Sequence, residues 1–231
     1  MKRRAKQTKS PPRKGGHGGA REGAGRPRNP GPRKVMHRKR LGFSNPRPIH
    51  VRIRLVDDVG VLRKPKSYQV LHTVFRQTDS RGFRICHYSV QADHIHLIVE
   101  ASDRAAMTAG MRAVNVRIGK CMNIMLERDK GTVIADRYDE QHLGSPRQVR
   151  TTLAYVLNNV RKHVMAETGT RCERGWLDPY SSAQYFDGWK SHEPVPITVE
   201  SPVAAPRTLL LKKLWRKHGL IDIDAVPEVL E

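Results

Sequence analysis

The stretch of sequence that decides the fold spans residues 83–100 and reads FRICHYSVQADHIHLIVE. Its first half, Phe83–Gln91, is dense in β-branched and aromatic side chains, which favours a strand. Over His94–Glu100 apolar side chains fill every second position, a period typical of a second strand. Only Ala92 and Asp93 separate the two, which suits a tight hairpin. The stretch therefore predicts two neighbouring antiparallel strands.

The flanking sequence adds a strand and a helix before this hairpin, and a helix and a strand after it. They are predicted at Ile49–Leu55 (strand), Pro65–Thr78 (helix), Ser102 or Asp103 to Gly131 (helix) and Thr132–Gln141 (strand). Methionines recur in the long helix at three- and four-residue steps, the spacing of a core-facing stripe. The order strand, helix, strand, strand, helix, strand predicts an α+β, ferredoxin-like split βαβ fold with an antiparallel sheet.

A further helix is predicted after the last strand. It begins at Ser-Pro-Arg-Gln, residues 145–148, where serine suits the N-cap and proline the first turn. The apolar spacing continues to about Glu167, and Gly169 follows as a stop signal. Tyr155 and Asn159 lie four residues apart, so we expect both on one face of this helix.

The N-terminal segment Met1–Pro48 carries most of the positive charge. It holds 16 basic residues and one acidic residue, a net charge of +15 out of +21 for the chain. With almost no aliphatic residues it should be disordered when free, and its charge predicts nucleic acid as the partner. Charge alone leaves a ribosome-like or merely solubilising tail open. Arg26 and Arg28 lie in a Gly-Arg-Pro segment that resembles minor-groove hooks, and a generic basic tail is the alternative interpretation.

Cysteine usage and apolar runs bear on where the protein acts. Cys86, Cys121 and Cys172 are scattered and odd in number, which supports neither a zinc finger nor a disulfide framework. Apolar runs are too short to span a bilayer, and no apolar segment follows the basic N-terminus, so neither a membrane partner nor a secretory signal is predicted. We expect a cytoplasmic protein.

The chain is predicted to have three parts: a disordered basic tail (1–48), a catalytic domain (49–170) and a loop-rich C-terminal extension (171–231). The extension contains one predicted helix, Arg207–His218, whose basic face is either an accessory DNA contact or an ordinary solvated surface.

His94 and His96 are the candidate metal ligands. Residues two apart on a strand share a face, so both imidazoles can converge on one metal ion. Asn159 can add an amide oxygen, with Tyr155 one helical turn away. Such a histidine pair also arises by chance, and Tyr and Asn on an amphipathic helix are often simple packing residues.

These residues, in this order, resemble the single-tyrosine HUH transposases of the insertion-sequence 200 type and their REP-associated relatives. The match is a His-hydrophobic-His strand after a strand ending in Ser-Val-Gln, then a long helix, a strand, and a helix bearing Tyr with Asn four residues later. Residues 83–163 carry it, and Ile49–Leu55 resembles the family's first strand. Two departures are Val160, where the family often has proline, and Asp93, where many relatives have asparagine; Asp93 either orients an imidazole or closes the turn.

The resemblance implies a transposase that cuts and rejoins single-stranded, hairpin-forming DNA through a 5′-phosphotyrosine on Tyr155. His94, His96 and Asn159 would hold Mg²⁺ or Mn²⁺. Candidate DNA contacts besides the tail are Arg137, Arg161 and Lys162. The protein would be a monomer or homodimer in the bacterial cytoplasm, associated with the nucleoid when bound to DNA.

Three alternatives compete with this interpretation. A domesticated relative would grip single-stranded or hairpin DNA without transposition. An RNA-binding ferredoxin-like domain would need aromatic residues on its sheet, and only 6% of the chain is aromatic. A replication initiator or relaxase often has a third histidine or paired tyrosines, neither of which is evident in the sequence.

Overall fold

Four antiparallel strands form the central sheet in the computed structural model, which describes residue 40 and residues 42–78, 82–190 and 200–228. The strands are β1 (Arg47–Arg54), β2 (Phe83–Val90), β3 (His94–Ala101) and β4 (Asp139–His142). Helix α1 (Pro65–Arg76) joins β1 to β2, and helix α2 (Arg104–Met125) joins β3 to β4. Across the sheet the order is β2-β3-β1-β4. The predicted α+β arrangement is confirmed.

Strand β3 lies between β1 and β2, and its two faces contact two separate hydrophobic clusters. Leu97 is fully buried in a cluster that includes apolar residues of α1 and α2. Ile98 points the other way, into a second cluster that it shares with helix α3 (Pro146–Leu157). His96 is two residues from Ile98 and shares its face. The histidine pair therefore lies on the side of the sheet that α3 covers.

Helix α2 starts where the sequence predicts but ends earlier. Asp103 accepts a hydrogen bond from the Ala106 N–H at 2.8 Å, the N-cap contact that stabilises a helix start. The helix ends at Met125 rather than at Gly131. Glu127 has a left-handed φ of 54°, a conformation that no right-handed helix can continue, so the prediction for Gly131 was wrong.

Strand β4 is shorter than the predicted Thr132–Gln141, because the pairing with β1 is interrupted between Ile134 and Asp139. Ile134 makes one isolated bridge to Leu55, outside the named strands. The Asp136 carboxylate then accepts a hydrogen bond from the Arg137 N–H at 2.7 Å, a local contact that competes with strand pairing.

The helix predicted to carry both Tyr155 and Asn159 is interrupted. It begins as predicted, since Ser145 Oγ accepts the Gln148 N–H at 3.2 Å. It ends at Leu157, and helix α4 (Asn159–Thr168) follows.

Asn158 is the point of interruption. Its φ of −103° and ψ of 11° depart from helical values, and its side-chain amide donates to the Asp222 carbonyl at 2.9 Å. Tyr155 is thus near the end of α3, whereas Asn159 opens α4. The prediction of one continuous helical face was wrong.

The C-terminal extension packs over the second face of the sheet. Its apolar residues in that cluster are Ala183, Phe186, Trp189, Leu211, Trp215, Ile221 and Ile223. The predicted helix Arg207–His218 forms as α5 (Leu209–Lys212) followed by a 3-10 turn (Leu214–His218). The predicted boundary at 170/171 therefore does not separate two cores.

Two buried carboxylates attach the extension to the rest of the fold. Glu100 accepts hydrogen bonds at 2.8 Å from the backbone N–H groups of Arg207 and Thr208. Asp178 makes a two-pronged ion pair with Arg63, at 2.8 and 2.9 Å. Three backbone bonds also link the extension to β2: Tyr88 O and Ile85 O accept from Ser182 and Ala204, and Val90 N–H donates to Tyr180 O.

No helix among the described residues is long and apolar enough to cross a membrane. Cys86 is buried, and Cys121 and Cys172 are partly buried.

Candidate active site

A row of four polar side chains crosses β1 and β3 on the face covered by α3. The Nε2 atoms of His94 and His96 face each other at 3.1 Å. The Nδ1 atom of His94 lies 2.6 Å from an Asp93 carboxylate oxygen. On the far side of the row, His96 Nδ1 lies 3.0 Å from Nε2 of His50. The two histidines predicted from the sequence therefore meet, and each has a second partner behind it.

Burial favours the neutral form of these three imidazoles. It lowers the pKa of His50 to about 4 and that of His96 well below its usual value. Burial also lowers the pKa of His94, and the neighbouring Asp93 carboxylate offsets this only in part. Neutral imidazoles have a free lone pair, which is what a metal ion requires of a histidine ligand.

Tyr155 reaches the same row from α3. Its ring stands nearly perpendicular to that of His96, with centroids 5.3 Å apart, and 6.2 Å from that of His50. The side chain is half-buried and lines an open cavity of about 340 Å³. The other residues that line this cavity are His50, Arg52, His96, Asp139, Glu140 and Gln141.

Strand β4 forms one wall of this cavity, and two arginines bind Glu140 in that wall. Arg104 makes two bonds to the Glu140 carboxylate, at 2.5 and 2.9 Å, and Arg40 adds a third at 2.7 Å. Burial acts to raise the pKa of Glu140, but these arginines outweigh it, so the pKa lies below its usual value. The guanidinium of Arg40 also stacks on the ring of Tyr138, 3.6 Å from its centroid.

Asn159 is fully buried, and neither the oxygen nor the nitrogen of its side-chain amide has a hydrogen-bond partner. Such unpaired amide atoms are costly in a protein interior and call for a partner.

The donor set suits the metal ion that the family resemblance implies. Two nitrogens that bind one metal ion at about 2.1 Å can be no more than about 4 Å apart, and the Nε2 atoms of His94 and His96 satisfy this. Within the described ranges no three His, Cys, Asp or Glu side chains are grouped so as to hold a metal. The buried amide oxygen of Asn159, which has no hydrogen-bond partner, is of a type that Mg²⁺ and Mn²⁺ accept as a ligand.

The predicted DNA-contacting residues have different environments. Arg161 is buried, pairs with Asp224 at 2.9 Å and donates to the Trp176 carbonyl at 2.8 Å, so its position does not suit a phosphate contact. Arg137 is exposed. Lys162 places its ammonium 5.5 Å from the Tyr155 ring centroid. Arg26 and Arg28 lie outside the described residues.

The sequence did not single out His50. It occupies one position in the alternating pattern of β1, and only the pairing of β1 with β3 brings it beside His96. A histidine on the strand paired with the His-x-His strand was the available signal, but its use required knowledge of the register.

Comparisons with known proteins give a family match and a similar solved structure. A family model described as "Transposase IS200 like" matches residues 49–159. A solved structure described as "Structure of the REP associates tyrosine transposase bound to a REP hairpin" is similar over 65% of this chain and 84% of its own, with 17% sequence identity and a TM-score of 0.49. No curated protein matches the chain.

Proposed function

We propose that this chain cuts and rejoins single-stranded DNA with Tyr155 as its nucleophile, because residues 49–159 match the model of IS200-like transposases. The observation that carries the proposal is the position of Tyr155. Its ring lies edge-on to His96, beside the facing imidazoles and at the wall of an open cavity. A phosphodiester in that cavity would meet the hydroxyl and the imidazole row together.

The reaction exchanges one phosphoester bond for another. The Tyr155 oxygen forms a bond to phosphorus as the bond to the 3′ oxygen breaks, which leaves a 5′-phosphotyrosine and a free 3′-hydroxyl. The phenol loses its proton and the departing oxygen gains one. A 3′-hydroxyl from another strand reverses these steps, so rejoining needs no ATP.

His94, His96 and Asn159 would hold a divalent metal ion, which supplies Lewis-acid polarisation of the phosphate when bound. The role of the chain itself is orientation. Asp93 fixes His94 through its Nδ1 atom, and the packing of α3 against the sheet fixes Tyr155.

The proposed partner is single-stranded DNA that forms hairpins. Arg137 and Lys162 are the described candidates for phosphate contacts, because Arg137 is exposed and Lys162 lies beside Tyr155. Arg26, Arg28 and the rest of the basic tail would add affinity. We place the protein in the bacterial cytoplasm, as a monomer or homodimer.

The test is a covalent-adduct assay. Wild-type protein is incubated with labelled hairpin DNA and Mn²⁺, and a slow band on a denaturing gel reports the phosphotyrosine. We expect Tyr155→Phe to abolish this band while hairpin binding stays within about twofold, since one hydroxyl is lost. The matched control is Tyr138→Phe, which keeps the ring beneath Arg40 and should leave the band intact.

Two outcomes would redirect the proposal. An adduct that persists in Tyr155→Phe and disappears in Tyr138→Phe moves the nucleophile to Tyr138. Tight hairpin binding by wild-type protein with no adduct supports the alternative of a DNA-binding protein that no longer cuts.

A further inference from the structure

A third histidine, His50, contacts the ring nitrogen of His96 that points away from His94. We propose that His50 is a positioning residue that allows His96 to change its tautomer, by serving Nδ1 of His96 first as donor and then as acceptor, so that both facing Nε2 atoms can bind one divalent cation. This inference rests on the metal site of the proposed function, and it concerns how that site accepts its cation.

Geometry separates His50 from the ligands themselves. His50 meets Nδ1 of His96 at 3.0 Å, whereas His94 meets Nε2 of the same ring at 3.1 Å. These two nitrogens point in different directions from the imidazole ring. A cation bound between His94 and His96 would therefore not contact the nitrogen by which His50 meets His96.

The positions of the N–H protons on the three imidazoles follow from Asp93, the acceptor at one end of the row. Each neutral imidazole carries one N–H. Asp93 is an acceptor, so the proton of His94 is on Nδ1 and its Nε2 is an acceptor. The 3.1 Å contact then requires N–H on Nε2 of His96, which leaves its Nδ1 to accept from the Nε2–H of His50. Without a cation, one arrangement satisfies all three contacts.

A cation between the Nε2 atoms requires the opposite tautomer of His96. The Nε2 proton of His96 leaves to solvent, the Nε2 proton of His50 moves to Nδ1 of His96, and Nδ1 of His50 takes one proton from solvent. Each ring remains neutral, and the proton count is unchanged. Gln141 is paired with His50 across β1 and β4, and its side-chain amide has both a donor and an acceptor, so it can serve His50 in either tautomer.

The primary test reads the tautomers directly. Long-range ¹H–¹⁵N spectra of protein with ¹⁵N-labelled histidine identify which ring nitrogen carries hydrogen. We expect His96 and His50 both to change from Nε2–H to Nδ1–H when Mg²⁺, which is diamagnetic, is added. His94 should keep Nδ1–H throughout. A His96 ring that keeps one tautomer with and without Mg²⁺ at saturating concentration would overturn the proposal.

A second test uses the affinity for Mn²⁺, measured by calorimetry. Loss of a group that orients a metal-binding histidine weakens metal binding about tenfold to a hundredfold, and we expect this of His50→Leu. His50→Gln should remain close to wild type, since its amide can occupy the position of Nε2 and pair with His96. The matched control is His87→Leu, which replaces another buried histidine of the sheet outside the row.

Thermal unfolding without metal separates a local effect from a general loss of the fold. Equal Mn²⁺ affinity in His50→Leu and wild type, with both folded, contradicts the proposal. If His50→Leu does not fold, the tautomer spectra of wild type decide. If the DNA adduct forms but the tautomers do not change, the proposed function stands and the inference about His50 is wrong. If the tautomers change but no adduct forms, the inference about His50 stands and the proposed function is wrong.

Discussion

At the scale of single residues, formation of the DNA adduct should depend on a metal ion bound by the facing Nε2 atoms of His94 and His96. His94→Ala and His96→Ala each remove one of the two Nε2 atoms that lie 3.1 Å apart, so we expect either change to abolish the DNA adduct. EDTA should do the same to wild-type protein. Asn159→Ala should be milder, about tenfold, because water can replace one neutral oxygen. Adduct formation that survives EDTA in wild type would contradict the metal site.

Asp93 gives a residue-scale test of what the turn contributes. The carboxylate touches His94 at 2.6 Å, while the backbone oxygen of Asp93 accepts the Leu55 N–H at 3.0 Å. If orientation of His94 is its role, Asp93→Ala should weaken Mn²⁺ binding about tenfold, and Asp93→Asn, which still accepts a hydrogen bond, should weaken it less. If calorimetry gives the same Mn²⁺ affinity for both variants and wild type, Asp93 closes the turn and does not orient His94.

The sequence was sufficient for some site residues and not for others. His94 and His96 could be paired because two residues along a strand always share a face. Arg161 could not be placed, because its burial depends on Asp224, 63 positions away in the extension. His50 required the register of β1 against β3, which alternation alone does not specify.

At the scale of elements, the contact between α2 and β2 depends on a glycine. A Cβ on Gly110 would lie 2.1 Å from a ring carbon of Phe83, so Gly110→Ala should destabilise the fold by about 1–3 kcal/mol in urea unfolding. Gly119→Ala in the same helix meets nothing within 4 Å and should stabilise by up to about 1 kcal/mol, since alanine is the better helix former. Two changes of the same sign and size would mean that the helix does not pack there as described.

Element order and the starts of α2 and α3 were predictable, whereas the residues at which these two helices end were not. Composition together with periods of two and of three to four residues indicated all four strands and the first three helices. The interruption at Asn158 depends on a hydrogen bond to Asp222, far along the chain, and no local pattern records it. The end of α2 at Met125 was missed because Glu127, rather than a glycine, takes the left-handed conformation.

At the scale of the whole molecule, the basic tail should supply affinity rather than specificity. Arg47 and Pro48 belong to β1, and Arg40 contacts Glu140, so the informative truncation removes residues 1–39. Phosphate contacts are blind to sequence and lower the logarithm of affinity by about 0.7 per contact for each tenfold rise in salt on single strands. We expect the truncated chain to bind every DNA more weakly, with a flatter salt dependence. Loss of preference for one hairpin at fixed salt would instead assign base recognition to the tail.

The C-terminal extension affects the behaviour of the whole molecule because it covers the edge of the sheet at β2. Strand β2 has one strand neighbour, β3, yet all eight of its residues are buried, and residues 180–182 and 204 bond to its other side. An exposed edge strand can pair with strands of other molecules, and natural proteins cover their edge strands to avoid aggregation. The extension therefore acts as a guard against self-association. A chain that stops at residue 170 would offer β2 to its own copies, and its assemblies should grow with protein concentration and show the 4.7–4.8 Å spacing of stacked strands.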